Sequence, residues 1–363
     1  MNRLTAIGLA SLVAYGLLLA SKYTGVVSAA RQDAAPAPVA QEASAPLTGV
    51  QALTPDPAPS ALQAFPAPAP RPGTVRVAGI AQEFRTSRDL KAFADGLTAR
   101  SSQLTADERY FLAKTLEECQ FVASLSEDLG AYSAKQRRQF LSSLPTGDPL
   151  NEKRIAAYEA VDNTQRCLGF KDAKFSQRDI DDLYKAAANQ GDARAQARIL
   201  TAELSKNLGK NGEAGQAPAP SNPTGRMDDL AMLTQLLDSK DPEALLYVGQ
   251  FLAQNAVTQN LRVGPNGEVP EPSAFLGGFS LVACDMGQDC SAVNRELMQA
   301  CAFGGFCNAQ TYEELYQNFL ASPWAYSQAM RYRMLIRTAI DQRNYSLIGL
   351  TPKLMRREAA ASM

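Results

Sequence analysis

From residue 84 onward the apolar positions recur every three to four residues, the spacing that lines one side of an α-helix, rather than every second residue as in a strand. Thr105-Ala106-Asp107-Glu108 has the Thr-x-x-Glu form of a capping box, in which side chains and backbone satisfy each other at a helix start. Behind it Tyr110, Phe111, Leu112, Leu116, Phe121, Val122 and Leu125 predict a helix ending near Gly130, with Glu117 and Glu118 inside it. A second helix is expected over about 133–144, carrying Phe140, Leu141 and Leu144, and Pro145-Thr146-Gly147-Asp148-Pro149 breaks it. A third is expected over about 151–168 with Ile155, Tyr158, Val161 and Cys167.

Ser176, with Asp179 behind it, opens a further helix whose narrow face is Leu183, Tyr184, Ala187 and Ala188. Gly191 ends it, and Asp192 starts a partner helix through Ala195, Ile199 and Leu200. Residues 255–272 read as a long loop with a small hairpin about Pro265-Asn266-Gly267. Helices then follow at about 273–285 (Phe275, Leu276, Phe279, Leu281, Val282), 292–302 (Val293, Leu297, Met298) and 311–320. The last, about 323–341, opens on Pro323, well placed in a first turn, and carries Tyr326, Met330, Tyr332, Met334, Leu335 and Ile336. Arg331, Arg333 and Arg337 lie between these, so the stripe reads as a core face with solvated arginines. The tail from Lys353 reads as frayed.

The N-terminus follows another pattern. Met1-Asn2-Arg3 precedes an uncharged apolar run at 4–20, then Ser21-Lys22, and Val27-Ser28-Ala29 has the small residues of a signal-peptidase site. As a helix the run reaches roughly 25 Å, just short of the ~30 Å hydrocarbon core. It reads as a signal peptide cleaved after Ala29 or as a retained single-span anchor. No cysteine lies near its end, which argues against a bacterial lipid anchor. Residues 30–78 repeat Ala-Pro steps that favour extended chain over packed elements, a passive disordered linker.

Six cysteines change the picture further. Cys284, Cys290, Cys301 and Cys307 read C-x5-C-x10-C-x5-C, and Cys119 and Cys167 complete the set. In an exported chain such cysteines are expected to pair. A Cys119–Cys167 bridge would clamp two helices. The four-cysteine cluster allows Cys284–Cys290 with Cys301–Cys307, or crossed pairs such as Cys284–Cys301, and a four-thiolate zinc site competes with both.

Charge and composition then exclude functions. Thirty-six basic residues balance 37 acidic ones, so nucleic acid is not a favoured partner. Aromatic content of 7% is thin for an all-β sandwich. Histidine is absent, which removes Ser-His-Asp and Cys-His catalysis, histidine-held metals and imidazole general bases. An enzyme here would have to use carboxylates, lysine, tyrosine or an oxygen-held metal.

One stretch carries a family resemblance. Leu183-Tyr184-Lys185-Ala186-Ala187-Ala188-Asn189-Gln190-Gly191-Asp192-Ala193-Arg194-Ala195-Gln196 resembles the core of a Sel-one-like repeat, a relative of the tetratricopeptide repeat. Leu233, Leu236, Leu237, Asp241-Pro242-Glu243-Ala244 and Leu245 echo it, with Lys240 in the glycine's place. The resemblance implies stacked helical hairpins that serve protein–protein contact. The insert at 209–225 (GKNGEAGQAPAPSNPTG) separates the two.

The expectation is thus an all-α, disulfide-stapled chain: leader or anchor 1–29, linker 30–78, helical domain 79–208, flexible insert 209–225 and C-terminal helical region 226–363. No cofactor, metal or catalytic residue is expected. The expected role is an exported scaffold in a bacterial periplasm, binding a protein or peptide and touching membrane only through an uncleaved leader. Two other readings compete. One is a cell-wall glycan-cleaving enzyme using Glu117 or Glu118; the other is a small-ligand site between helices.

Overall fold

The computed structural model describes residues 78–100, 103–125, 128–210, 223–291 and 294–351. The leader, nearly all of the linker, most of the insert and the tail lie outside the described residues. The described residues are helical, with two isolated β-bridges, and Val77–Met363 holds together as one unit.

Helices α1 (Ala78–Thr86), α2 (Leu90–Thr98), α3 (Ala106–Ser124) and α4 (Leu129–Ser143) come first. The Thr105–Glu108 capping box opens α3 as expected. That helix ends at Ser124, short of the expected Gly130, because the Asp128 carboxylate accepts from Ala131 N and starts α4 there. Phe121 was expected on the apolar face, yet it is 56% exposed and only meets Tyr132.

Helix α5 (Asn151–Val161) is also shorter than expected. Asp162 leaves helical geometry and its carboxylate caps the short α6 (Asn163–Arg166). Cys167 therefore sits in the turn between α6 and a 3-10 turn at Leu168–Phe170, not on a third helix.

Then come α7 (Gln177–Asn189) and α8 (Ala193–Lys210), and α9 (Pro223–Asp238) and α10 (Pro242–Gln254). The corners inside these two hairpins are built alike. Asp192 accepts from Arg194 N and Ala195 N at 3.0 Å; Asp241 accepts from Glu243 N and Ala244 N at 2.9 Å. Gly191 precedes the first cap with φ +90, and Lys240 takes the same left-handed region before the second, with φ +54.

Helices α11 (Pro272–Asp285), α12 (Arg295–Gly304) and α14 (Pro323–Gln342) follow the expected order. The expected single helix at 311–320 is instead a short α13 (Tyr312–Leu315) running into a π-turn at Tyr316–Leu320. A small hairpin does close the long loop, with Val263 and Glu268 exchanging both backbone hydrogen bonds. On α14, Tyr332 and Ile336 are buried but Met334 is 64% exposed.

Two large cores result. One gathers Leu90, Tyr110, Phe111, Ile180, Tyr184 and Ala187 around the bonded Cys119 and Cys167. The other gathers Leu233, Leu245, Val248, Phe275, Phe279, Tyr332 and Ile336. Packing runs through α3, α7, α8, α10, α11 and α14 in turn. Glycine permits the closest of these approaches. A side chain on Gly249 would overlap the Phe279 ring, and one on Gly278 would lie 2.8 Å from Tyr332 Cβ.

Helix α12 then reaches back to α5. Arg154 Nε donates to Ala302 O at 3.1 Å, and Arg295 donates to Val161 O at 2.8 Å. Phe140, Ala157 and Ala302 make a small third core between them.

All six cysteines are bonded: Cys119–Cys167, Cys284–Cys290 and Cys301–Cys307, with Cα separations of 5.2, 5.7 and 4.2 Å. The local pairing is thus the one formed, and crossed pairs and a zinc site are excluded. The first bridge closes a 48-residue separation, worth roughly 3–4 kcal/mol by loop entropy; the other two close separations of 6, worth about 2 kcal/mol each.

Candidate functional site

Where the two large cores meet, the joint is polar. The helical period of α3 sets Tyr110, Lys114 and Glu117 along one side, facing α7, α8 and α10. Tyr110 donates to Glu243 Oε1 at 2.6 Å, and Lys114 Nζ donates to the same oxygen. Tyr247, one turn along α10, lies close to Tyr110. Tyr184 donates to Glu117 Oε2 at 2.7 Å, while Arg198 donates to Oε1 and lays its guanidinium 4.0 Å from the Tyr184 ring. Arg194 pairs with Asp192 and Asp107 and stacks 4.2 Å from the Tyr110 ring. Glu118 lies 3.6 Å from Arg166, whose other donors take Ser87 O and Phe84 O.

The electrostatics follow from that geometry. Burial is the largest effect on Glu243 and favours its neutral form, but the Lys114 ammonium, the Tyr110 hydroxyl and the Arg194 charge together outweigh it and hold the carboxyl below its ordinary range. Burial likewise opposes the Lys114 charge, and Glu243, with Tyr247 and Glu118, more than restores it, so the ammonium titrates above its usual value. Burial, then the negative charges of Glu243 and Glu117, push the Tyr110 and Tyr184 phenols well up. Glu296 on α12 is exposed to solvent, yet desolvation raises its carboxyl against the pull of Lys114.

This arrangement holds charges; it does not aim one. Both oxygens of Glu117 accept from fixed donors, whereas a glycosidase acid must keep a proton to donate. Glu117 therefore serves the joint between helices, whereas Glu118 pairs with Arg166 and keeps a buried Oε2 with no hydrogen-bond partner. Among the described residues no group of three acidic or cysteine side chains is placed to hold a metal ion. The arginines of α14 also pair: Arg331 with Glu268, Arg333 with Asp285 and Glu313, and Arg337 with Asp341.

Sequence reasoning placed Tyr184 in the packing face but missed its bond to Glu117; it named Arg194 and Glu243 only as positions of the repeat-like stretch and its echo, and it did not name Arg198. The available signal was Arg194 and Arg198 four residues apart on a helix otherwise lined by small residues.

Elsewhere, large apolar side chains are exposed. Phe303 (49%), Phe319 (41%), Leu320 (48%) and Trp324 (60%) are exposed within one stretch of chain. Phe319 stacks on Phe306 at 4.9 Å, and Phe303 meets Phe140 and Tyr158 edge-on. Beside Phe306 lies a groove of about 160 Å3, lined by Ala157, Leu297 and the Cys301–Cys307 bridge among others.

No helix among the described residues is long and apolar enough to cross a membrane. No protein-family model, curated protein or solved structure matches this chain.

Proposed function

We propose that this chain is a non-catalytic helical adaptor of the bacterial periplasm that binds another protein or peptide. The observation that carries the reading is the set of exposed large apolar side chains Phe303, Phe319, Leu320 and Trp324, close along the chain to the Cys301–Cys307 bridge. Large exposed aromatics are costly to leave in water and are enriched where proteins meet. The three disulfides belong to an oxidising, extracytoplasmic compartment. The leader at 1–29 and the spacer at 30–78 supply export and reach, and the Sel-one-like corner at 183–196 fits a hairpin stack built for contact.

Affinity capture tests it. The full chain and a Phe319→Ala/Trp324→Ala variant are each recovered from their own cell envelope after cross-linking. The adaptor reading expects a co-purifying protein with the parent chain that falls at least tenfold with the variant. A parent chain that captures nothing above background, yet solubilises purified peptidoglycan in a manner abolished by Glu117→Gln, would replace it with the glycan-cleaving reading.

A further inference from the structure

The three bridges are not equivalent in their surroundings. Cys119 and Cys167 have no exposed surface and lie inside a core. Cys301 and Cys307 are half-buried, and both line the groove of about 160 Å3 beside Phe306. None of the residues lining that groove is acidic. The Arg154 guanidinium stands by Gly305, its Nη1 3.8 Å from where a Cβ would be. An approaching thiolate would thus enter a recess with no acidic lining residue, and the Arg154 charge near Gly305 is already matched by Asp148 at 3.7 Å.

We propose that Cys301–Cys307 is a site of thiol–disulfide exchange with a protein dithiol of the same compartment, while Cys119–Cys167 is structural. One thiolate of the dithiol attacks a bridge sulfur, forming a mixed disulfide and releasing the other bridge cysteine as a thiolate. The second thiol of the dithiol, deprotonated, then displaces the first bridge cysteine. Two electrons pass to the bridge, the dithiol leaves as a disulfide, and the two released thiolates take up two protons.

The consequence is local. The bridge ties the end of α12 to the turn that leads into α13. Without it that turn keeps the backbone bonds Gly305 N to Cys301 O, Phe306 N to Ala300 O and Ala309 N to Phe306 O, and the bond from Gln310 N to the Glu314 carboxylate, while Arg154 still holds α12 against α5. Exchange would therefore loosen residues 305–311, beside the aromatic surface, and leave both large cores closed.

The test uses the full chain under graded dithiothreitol, with free thiols alkylated and the labelled peptides identified by mass. Cys301 and Cys307 are expected to label at a dithiothreitol concentration at least tenfold below that needed for Cys119 and Cys167, and before Cys284 and Cys290. Hydrogen exchange at that concentration should rise at least tenfold in 305–311 and stay unchanged in α3. In a second arm, a Cys-x-x-Cys dithiol protein whose second cysteine is replaced by serine is mixed with the oxidised chain. A covalent adduct on Cys301 or Cys307, lost in the Cys301→Ser/Cys307→Ser variant, supports the proposal. Simultaneous opening of all three bridges, earlier opening of Cys284–Cys290, or no adduct would overturn it.

Discussion

The two large cores are held together by different means. The first surrounds α3 and has a disulfide in its interior, while its charged residues are gathered at its border. The second packs α10, α11 and α14 by bare approach, with Gly249 under the Phe279 ring and Gly278 against the α14 backbone, and the other two bridges lie out in the turns. A bridge that closes a 48-residue separation removes more freedom from the unfolded chain than one that closes 6. The difference teaches that cysteine number says little about stability until each bridge's place and loop are known.

The sharpest way to break this comparison is to remove one staple at a time. Cys119→Ala/Cys167→Ala is expected to lower unfolding free energy by roughly 3–4 kcal/mol, and Cys284→Ala/Cys290→Ala by no more than about 2 kcal/mol, in urea titrations. Equal losses would mean that location does not matter. In the second core, Gly278→Ala forces a methyl against Tyr332 and the α14 backbone and should cost roughly 1–3 kcal/mol.

The polar joint gives the next effect. Glu243→Gln leaves Lys114 without its counter-charge and should cost about 1–3 kcal/mol, less than a fully dry pair because both side chains are partly wetted. Its pH signature is specific. The Glu243 carboxyl is held low, so its contribution is complete above the ordinary carboxyl value of 4.5 and is lost as pH falls through the lowered value. Lys114 is held high, so its contribution is complete below 10.5 and is lost as pH rises through the raised value. The Tyr110 and Tyr184 phenols add to that alkaline loss from about pH 10 upward. Stability measured against pH should therefore show shoulders at both ends, and Glu243→Gln should flatten the acid one.

Smaller effects sharpen the likeness of the two hairpin corners. Lys240 adopts the backbone region that its counterpart Gly191 occupies freely, so Lys240→Gly should stabilise by about 0.5–1 kcal/mol and Gly191→Ala should destabilise by about 1 kcal/mol. The ion pair Lys240 forms with Asp341 is exposed, and its loss subtracts little. Smallest of all, Trp324→Ala should shift thermal unfolding by under about 0.5 kcal/mol while weakening partner capture.

Much of the fold was legible where the signal is local. The capping boxes at Thr105 and Ser176, Pro323 in its first turn and the turn at Pro265-Asn266-Gly267 all form as read, because each is settled by groups a few residues apart. Helix ends were legible less often. Asp128 and Asp162 both start new helices in places where periodicity ran on unbroken, and a cap outweighs period at a terminus. The joint around Glu243 was the least legible. Tyr110 and Glu243 are 133 residues apart, and a lone glutamate in a helix carries no mark of the lysine and tyrosine that will meet it.

By itself the sequence determined that the described chain is helical, where its strongest caps lie and which chemistries lack their residues, since period, capping and composition are properties of short segments. Only tertiary structure decided which cysteines pair, which apolar residues stay in water, and that α12 returns to α5. Those outcomes depend on distances between residues far apart in the chain, and such distances exist only once the helices have packed.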